Sequence, residues 1–209
     1  MLRRMGVDLT LFMADWERLV AFPVQRRIDA LDDTVWPSGG DQSLRWGRGG
    51  GWRWPPDQGA RWCAAYEFFT TTGSYRPHYR AGDGWADMRP LVDAPVREAM
   101  DAFLGGLIWD ADPIEDPALT GGEGLFPPVA DPRRPHLLLV CSPEAVERKV
   151  PAWKGVEPYL DVMRAPFAAE CEGWAGRPGT FEGFVALLRE WGDVVTEAAG
   201  RGWGLVGVP

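Results

Sequence analysis

Apolar and polar residues alternate near the start of the chain. Val7, Leu9 and Leu11 are separated by Asp8 and Thr10, a period of two that predicts a half-buried strand over about 6–13. The spacing then lengthens. Trp16, Leu19 and Val20 open a helical pattern, Pro23 interrupts it, and Val24, Ile28, Leu31 and Val35 resume it as a second helix. The stretch from 62 to 72 is aromatic, apolar and threonine-rich, as strands are. Val96, Ala99, Met100, Phe103 and Leu107 mark a helix closed by Gly105 and Gly106. The apolar run 136–141 predicts a central strand, and Ser142-Pro143-Glu144 is a helix start: a cap residue, proline at the first position, and an acid at the positive helix end. A helix bent at Pro166 is expected over about 158–172. Thr180 can cap the most amphipathic helix, with Phe181, Phe184, Val185, Leu188, Trp191, Val195 and Ala198 on one face. Gly200-Arg201-Gly202 stops it before a closing strand over 203–208. Strands at both ends and near the middle, separated by helices, predict a single α+β domain with a mixed sheet. Long irregular loops are expected at about 37–61 and 109–135, and the stretch 73–87 also reads as loop.

Composition narrows the function classes. Hydrophobic content of 45% with 25% charged residues is that of an ordinary soluble domain. No run approaches the roughly 18 apolar residues of a membrane helix, and the N-terminus lacks a signal peptide's apolar core. Met5-Gly6, where the first strand pattern opens, can serve as the true start. Cys63, Cys141 and Cys171 are solitary and far apart, so they argue for buried thiols in a reducing compartment, the bacterial cytoplasm, rather than for a disulfide framework. Asparagine is absent and lysine occurs only at 149 and 154, the mark of a GC-rich genome rather than of an anion-binding preference. The net charge of −8 is unevenly spread: six arginines face two acids between Leu44 and Arg80, and ten acids face two arginines between Ala81 and Glu123. Either the two segments neutralise one another by packing, or they form opposed surfaces.

The stretch Leu44-Arg45-Trp46-Gly47-Arg48-Gly49-Gly50-Gly51-Trp52-Arg53-Trp54 concentrates tryptophan among glycines. It admits three readings: tryptophans folded back onto the core, a protein-partner hot spot, or a stacking platform for a small flat or cationic ligand. On the second and third, Trp46, Trp52, Arg53 and Trp54, together with Tyr75, Arg76 and Trp85 of the following loop, are the candidate binding residues. A homodimer is one way to cover such a patch. Duplex nucleic acid is disfavoured by the interspersed acids. His78 is the candidate acid/base group, with Glu67 and Asp83 as the nearest carboxylates in sequence; its alternative is a loop histidine holding backbone carbonyls. No phosphate-binding loop, nucleophile elbow or zinc spacing is present, so no cofactor or metal is assigned. The acids at Asp110, Asp112, Glu115 and Asp116 lack the spacing of a calcium loop.

The Met5-Gly6 strand opening, the strand leading into Ser142-Pro143-Glu144-Ala145-Val146, and the last helix running through Glu197-Ala198-Ala199-Gly200-Arg201-Gly202 into a final strand resemble the YfbM-like family of bacterial proteins. They cover about a third of the chain. The resemblance implies an α+β fold and no established activity, so it assigns no functional residue. A non-catalytic binding protein, immunity-type or regulatory, is the leading expectation. A small-molecule enzyme using His78 and a carboxylate, with tryptophans stacking the substrate, is the alternative.

Overall fold

The computed structural model describes residues 8–37, 50–71, 73–109, 125–127 and 137–209. Five strands build the sheet: β1 (Thr10–Ala14), β2 (Gly51–Arg53), β3 (Cys63–Glu67), β4 (Leu139–Cys141) and β5 (Gly204–Val208). Their order is β2-β3-β1-β5-β4. Every neighbouring pair is antiparallel, so the sheet is not the mixed one expected. Thr10 to Ala14 pairs residue by residue with Val208 to Gly204, which places the first and last strands side by side at the sheet's centre.

Both faces of the sheet are covered, and side chains divide between them with a period of two. Leu11, Met13, Ala64, Tyr66, Cys141 and Leu205 face one core; Phe12, Ala14, Cys63, Ala65, Val206 and Val208 face the other. The thicker layer holds α3 (Arg76–Met88), α4 (Ala94–Leu104), α5 (Pro143–Val156), α6 (Arg164–Glu170) and α7 (Phe181–Gly200). The thinner layer holds α1 (Trp16–Val20) and α2 (Arg27–Val35), closed by Leu125 and Phe126. This is the α+β architecture that the alternation of elements predicts. No described helix is long and apolar enough to cross a membrane.

The expected caps form. The Ser142 hydroxyl accepts from the Ala145 amide at 3.3 Å and the Thr180 hydroxyl from the Gly183 amide at 3.1 Å, each at the start of its helix. Pro166 lies within the separate helix α6, and residues Glu157–Met163 before it form a 3₁₀ helix, so the single bent helix expected there is two. The larger correction is α3, over residues that read as a loop. Pro77 occupies its first turn, where the missing amide costs nothing. Gly82 and Gly84 look like breakers but are packing positions. A methyl group on Gly82 would overlap the Ile108 carbonyl oxygen, and one on Gly84 would come within 3.1 Å of Pro178 and 3.3 Å of the Cys171 sulfur. Glycine is there to let neighbouring segments approach, not to end the helix. Likewise the glycine-rich stretch expected to be irregular contains β2.

Two buried cations hold chain segments that have no regular pairing. Arg27 donates to the carbonyls of Phe22 (3.0 Å), Val20 (3.0 Å) and Leu125 (2.6 Å), joining the end of α1 to the segment that closes the thin layer. Lys149 on α5 donates to the carbonyls of Ala102, Phe103 and Gly105, where α4 leaves its last acceptors open.

Candidate functional site

The strand period decides where the tryptophan-rich stretch points. Trp52 stands opposite Tyr66 and Arg53 opposite Ala65, so Trp52 and Trp54 turn to the thick layer and Arg53 to the thin one. Trp52 meets Tyr66 edge-on, with ring centroids 4.9 Å apart. Trp54 lies 6.2 Å from Trp203, and the Arg201 guanidinium sits 4.4 Å over the Trp54 ring. Arg201 is itself fixed by Glu197 at 2.6 Å. Both tryptophans are half-buried against the thick-layer core, which is the folded-back reading of this stretch. Trp46 lies outside the described residues, as do His136 and the acids at 110–116.

Trp85 is corrected outright as a binding residue. It is fully buried in α3, and its indole donates to Asp101 at 3.0 Å while Arg89 grips the same carboxylate. Tyr75 is half-buried and stacks over His78 at 6.0 Å. Arg76 is exposed at the first turn of α3. Trp174, unremarked in the sequence reading, is the most exposed large apolar side chain among the described residues, at 66%.

The proposed His78–carboxylate pair does not assemble. His78 is inaccessible to solvent, its Nδ1 accepts from the Trp191 indole at 3.1 Å, and its Nε2 lies 3.3 Å from the Thr71 hydroxyl. Because Nδ1 accepts, the ring is neutral with its proton on Nε2. Burial pushes its pKa down to about 3. Glu67 projects from the opposite face of the sheet, and Asp83 pairs with Arg177 at 3.6 Å. The histidine holds the turn after β3 instead. Next to Trp191 on α7, the buried Glu190 carboxylate accepts from the Phe69 amide at 2.5 Å and from the Thr70 amide at 3.2 Å, and takes the Thr70 hydroxyl as well. The three cysteines are buried too, and burial raises the Cys63 thiol to about 12 and the Cys171 thiol to about 11.

What the fold does gather lies on the thin side of the β2 edge. Arg53 donates to Glu67 at 3.2 Å, with side-chain exposures of 25% and 18%. Beside this pair α2 brings Asp32 and Trp36, one turn apart, and Trp36 is set edge-on against Phe12 at 5.7 Å. Together with Leu9 and Thr10 these residues line a hollow of about 60 Å³. A wider open groove of about 480 Å³ shares Asp32 with it and runs along α2 past Asp29, Asp33 and Arg26, over Phe12, Ile28 and Val208. No family model matches the chain, and no curated protein or solved structure is significantly similar to it.

Of the residues picked from sequence, Arg53 and Glu67 therefore do meet, but without His78 and on the other face from Trp52 and Trp54. Asp32 and Trp36 were missed. The available signal was their spacing of four on a helix whose apolar face is Ile28, Leu31 and Val35, which sets both at the border of that face. That β2 would lie across from this border is a tertiary fact. Among the described residues no group of three or more potential metal ligands forms, so the carboxylates of α2 do not converge on one point.

Proposed function

We propose that this chain is a non-catalytic binding protein, regulatory or immunity-type, whose recognition surface is the α2 side of the β2 edge. The observation that carries the reading is the hollow itself. A mostly buried ion pair, Arg53–Glu67, stands with Asp32 and Trp36 around a concave place at the sheet edge. The lining combines the apolar Trp36 ring with a carboxylate, Asp32, and a guanidinium, Arg53. Such a set grips the polar tip of a ligand or partner side chain. Glu67 is engaged by Arg53, which suits orienting a bound group better than carrying a proton. The resemblance to the YfbM-like family is compatible with this reading, since that family has no established activity. The bacterial cytoplasm is the compartment we assign, supported by three buried free thiols.

The test is a thermal-shift screen of the full chain against small polar ligands and peptides, repeated on Arg53→Ala and Glu67→Ala. Compounds that stabilise the wild type and not the variants support the site. Hits indifferent to both substitutions would move recognition elsewhere. Time-dependent conversion of a hit by the wild type would end the non-catalytic reading.

A further inference from the structure

The geometry points to a seat for the guanidinium group of a ligand, formed by Trp54, Trp203 and Glu197 and filled by the chain's own Arg201. The seat lies on the opposite face of β2 from the Arg53–Glu67 hollow, so it stands or falls independently of the function proposed for that side. Its three walls come from separate elements: Trp54 just after β2, Trp203 just before β5, and Glu197 in the last turn of α7. The two indole rings are 6.2 Å apart and inclined at 55°, so they form a wedge rather than a flat platform. The Arg201 guanidinium lies within reach of both, 4.4 Å from the Trp54 centroid and 5.5 Å from that of Trp203. Its Nε and Nη2 both donate to Glu197 Oε1, at 2.8 and 2.6 Å. Two rings and one carboxylate thus converge on one planar cation.

The walls are fixed and the occupant is not. Both tryptophans are partly buried and pack on the thick-layer core. The Arg201–Glu197 pair is 41% and 40% exposed, and exposed pairs four residues apart contribute little to stability. Nor does α7 need this side chain in order to end. The Arg201 and Trp203 amides donate to the Ala198 carbonyl, the Gly202 amide to that of Ala199, and Gly202 takes the left-handed conformation at φ +69°. Glu197, by contrast, sits at the negative end of the helix, where a carboxylate is unfavourable unless a cation accompanies it. The seat therefore demands a cation, but not this particular one. A guanidinium suits it best, being planar, weakly hydrated and able to stack on indole while donating to a carboxylate. A divalent metal would find one carboxylate among rings, and an anion would meet Glu197. Because Arg201 is tethered four residues from Glu197, it competes at an effective concentration on the order of millimolar. A lone guanidinium displaces it weakly; one that brings further contacts displaces it well.

The test is an NMR titration of the full chain, following the Trp54 and Trp203 indole signals and the Arg201 Nε–H signal. Methylguanidinium is the small probe and a capped glycine–arginine–glycine tripeptide the polypeptide one. Methylammonium and sodium chloride at matched ionic strength are the controls. In the wild type methylguanidinium should shift all three signals saturably, the Arg201 signal moving to the position of a solvated side chain. Arg201→Ala, which empties the seat, should bind the same probe about tenfold more tightly. Adding Glu197→Gln or Trp54→Leu to that variant should abolish the gain. Tighter binding of the tripeptide than of methylguanidinium assigns the ligand to polypeptides, and equal binding assigns it to small guanidinium compounds. No saturable shift in the wild type overturns the proposal, because Arg201 is then a permanent strut. Equal affinity of the wild type and Arg201→Ala overturns it as well, because the cation then binds elsewhere. The same shifts with methylammonium or sodium would remove the guanidinium from the proposal and overturn it. Should Arg201→Ala fail to fold, the wild-type titration decides alone.

Discussion

His78 holds its hydrogen bonds only as a neutral ring, because the Trp191 indole needs a lone pair on Nδ1. Its folded pKa, about 3, lies below the ordinary 6.5. The stability that depends on the neutral ring is therefore complete above about pH 6.5 and is lost as pH falls from there toward 3. Denaturant titrations of the wild type and His78→Gln should diverge in this window, the wild type losing up to about 1.4 kcal/mol more per pH unit. Parallel curves would show that the ring is solvated or already charged. The thiols make a second expectation at this scale. Nucleophilic attack requires thiolate, and burial raises Cys63 to about 12 and Cys171 to about 11. A disulfide reagent at pH 8 should leave the native protein unmodified and titrate all three cysteines on unfolding. His78 and the cysteines look like chemistry in sequence because residue type is visible there. What disarms them is desolvation, which depends on what packs around them.

Helix α7 is the element on which the thick layer is organised. Its adjacent residues Glu190 and Trp191 secure the turn after β3, one directly and one through His78, while Gly192 admits the Trp153 indole from α5. A methyl group at 192 would overlap that ring. Gly192→Ala should therefore cost about 1–3 kcal/mol despite its better helix propensity, as read by chemical denaturation. The penalty should shrink in a Trp153→Leu background, where the ring is gone. An undiminished penalty would mean that the α5–α7 approach is not what the glycine serves. The same logic explains why α3 reads as a loop in the sequence. Its Pro77, Gly82 and Gly84 are loop signals by composition, and only the neighbours at Ile108, Cys171 and Pro178 show why a helix carries them. By contrast the caps at Ser142 and Thr180 and the apolar stripe of α7 were legible, since a helix's own start and face are written within a few residues of each other.

Across the whole molecule, stability depends on strands that are distant in sequence. β5 lies between β1 and β4, and nothing else among the described strands joins those two. Deleting 204–209 should therefore abolish cooperative unfolding altogether, leaving a chain with helical far-ultraviolet signal and poor dispersion in its NMR spectrum. A truncated protein with a sharp thermal transition would show that the two layers fold without the shared strand. The same long-range arrangement creates the apolar-floored α2 surface: Phe12 and Val208, from the first and last strands, meet there beside Ile28, and Glu67 and Arg53 arrive from β3 and the edge strand β2.

The amino-acid sequence by itself determined the α+β class, most strand and helix positions, the caps, and the absence of familiar phosphate, zinc and nucleophile motifs. Each of these follows from local periodicity, propensity or spacing. Only the tertiary structure decided that the sheet is antiparallel and covered on both faces. It also decided that Trp52 and Trp54 lean on the core, that His78 is a buried neutral strut, and that Arg53 and Glu67 stand opposite Asp32 and Trp36. The reason is physical. A strand's alternation specifies two faces but not what covers either of them, and the charge, exposure and reactivity of a side chain are set by neighbours that are brought there from far along the chain.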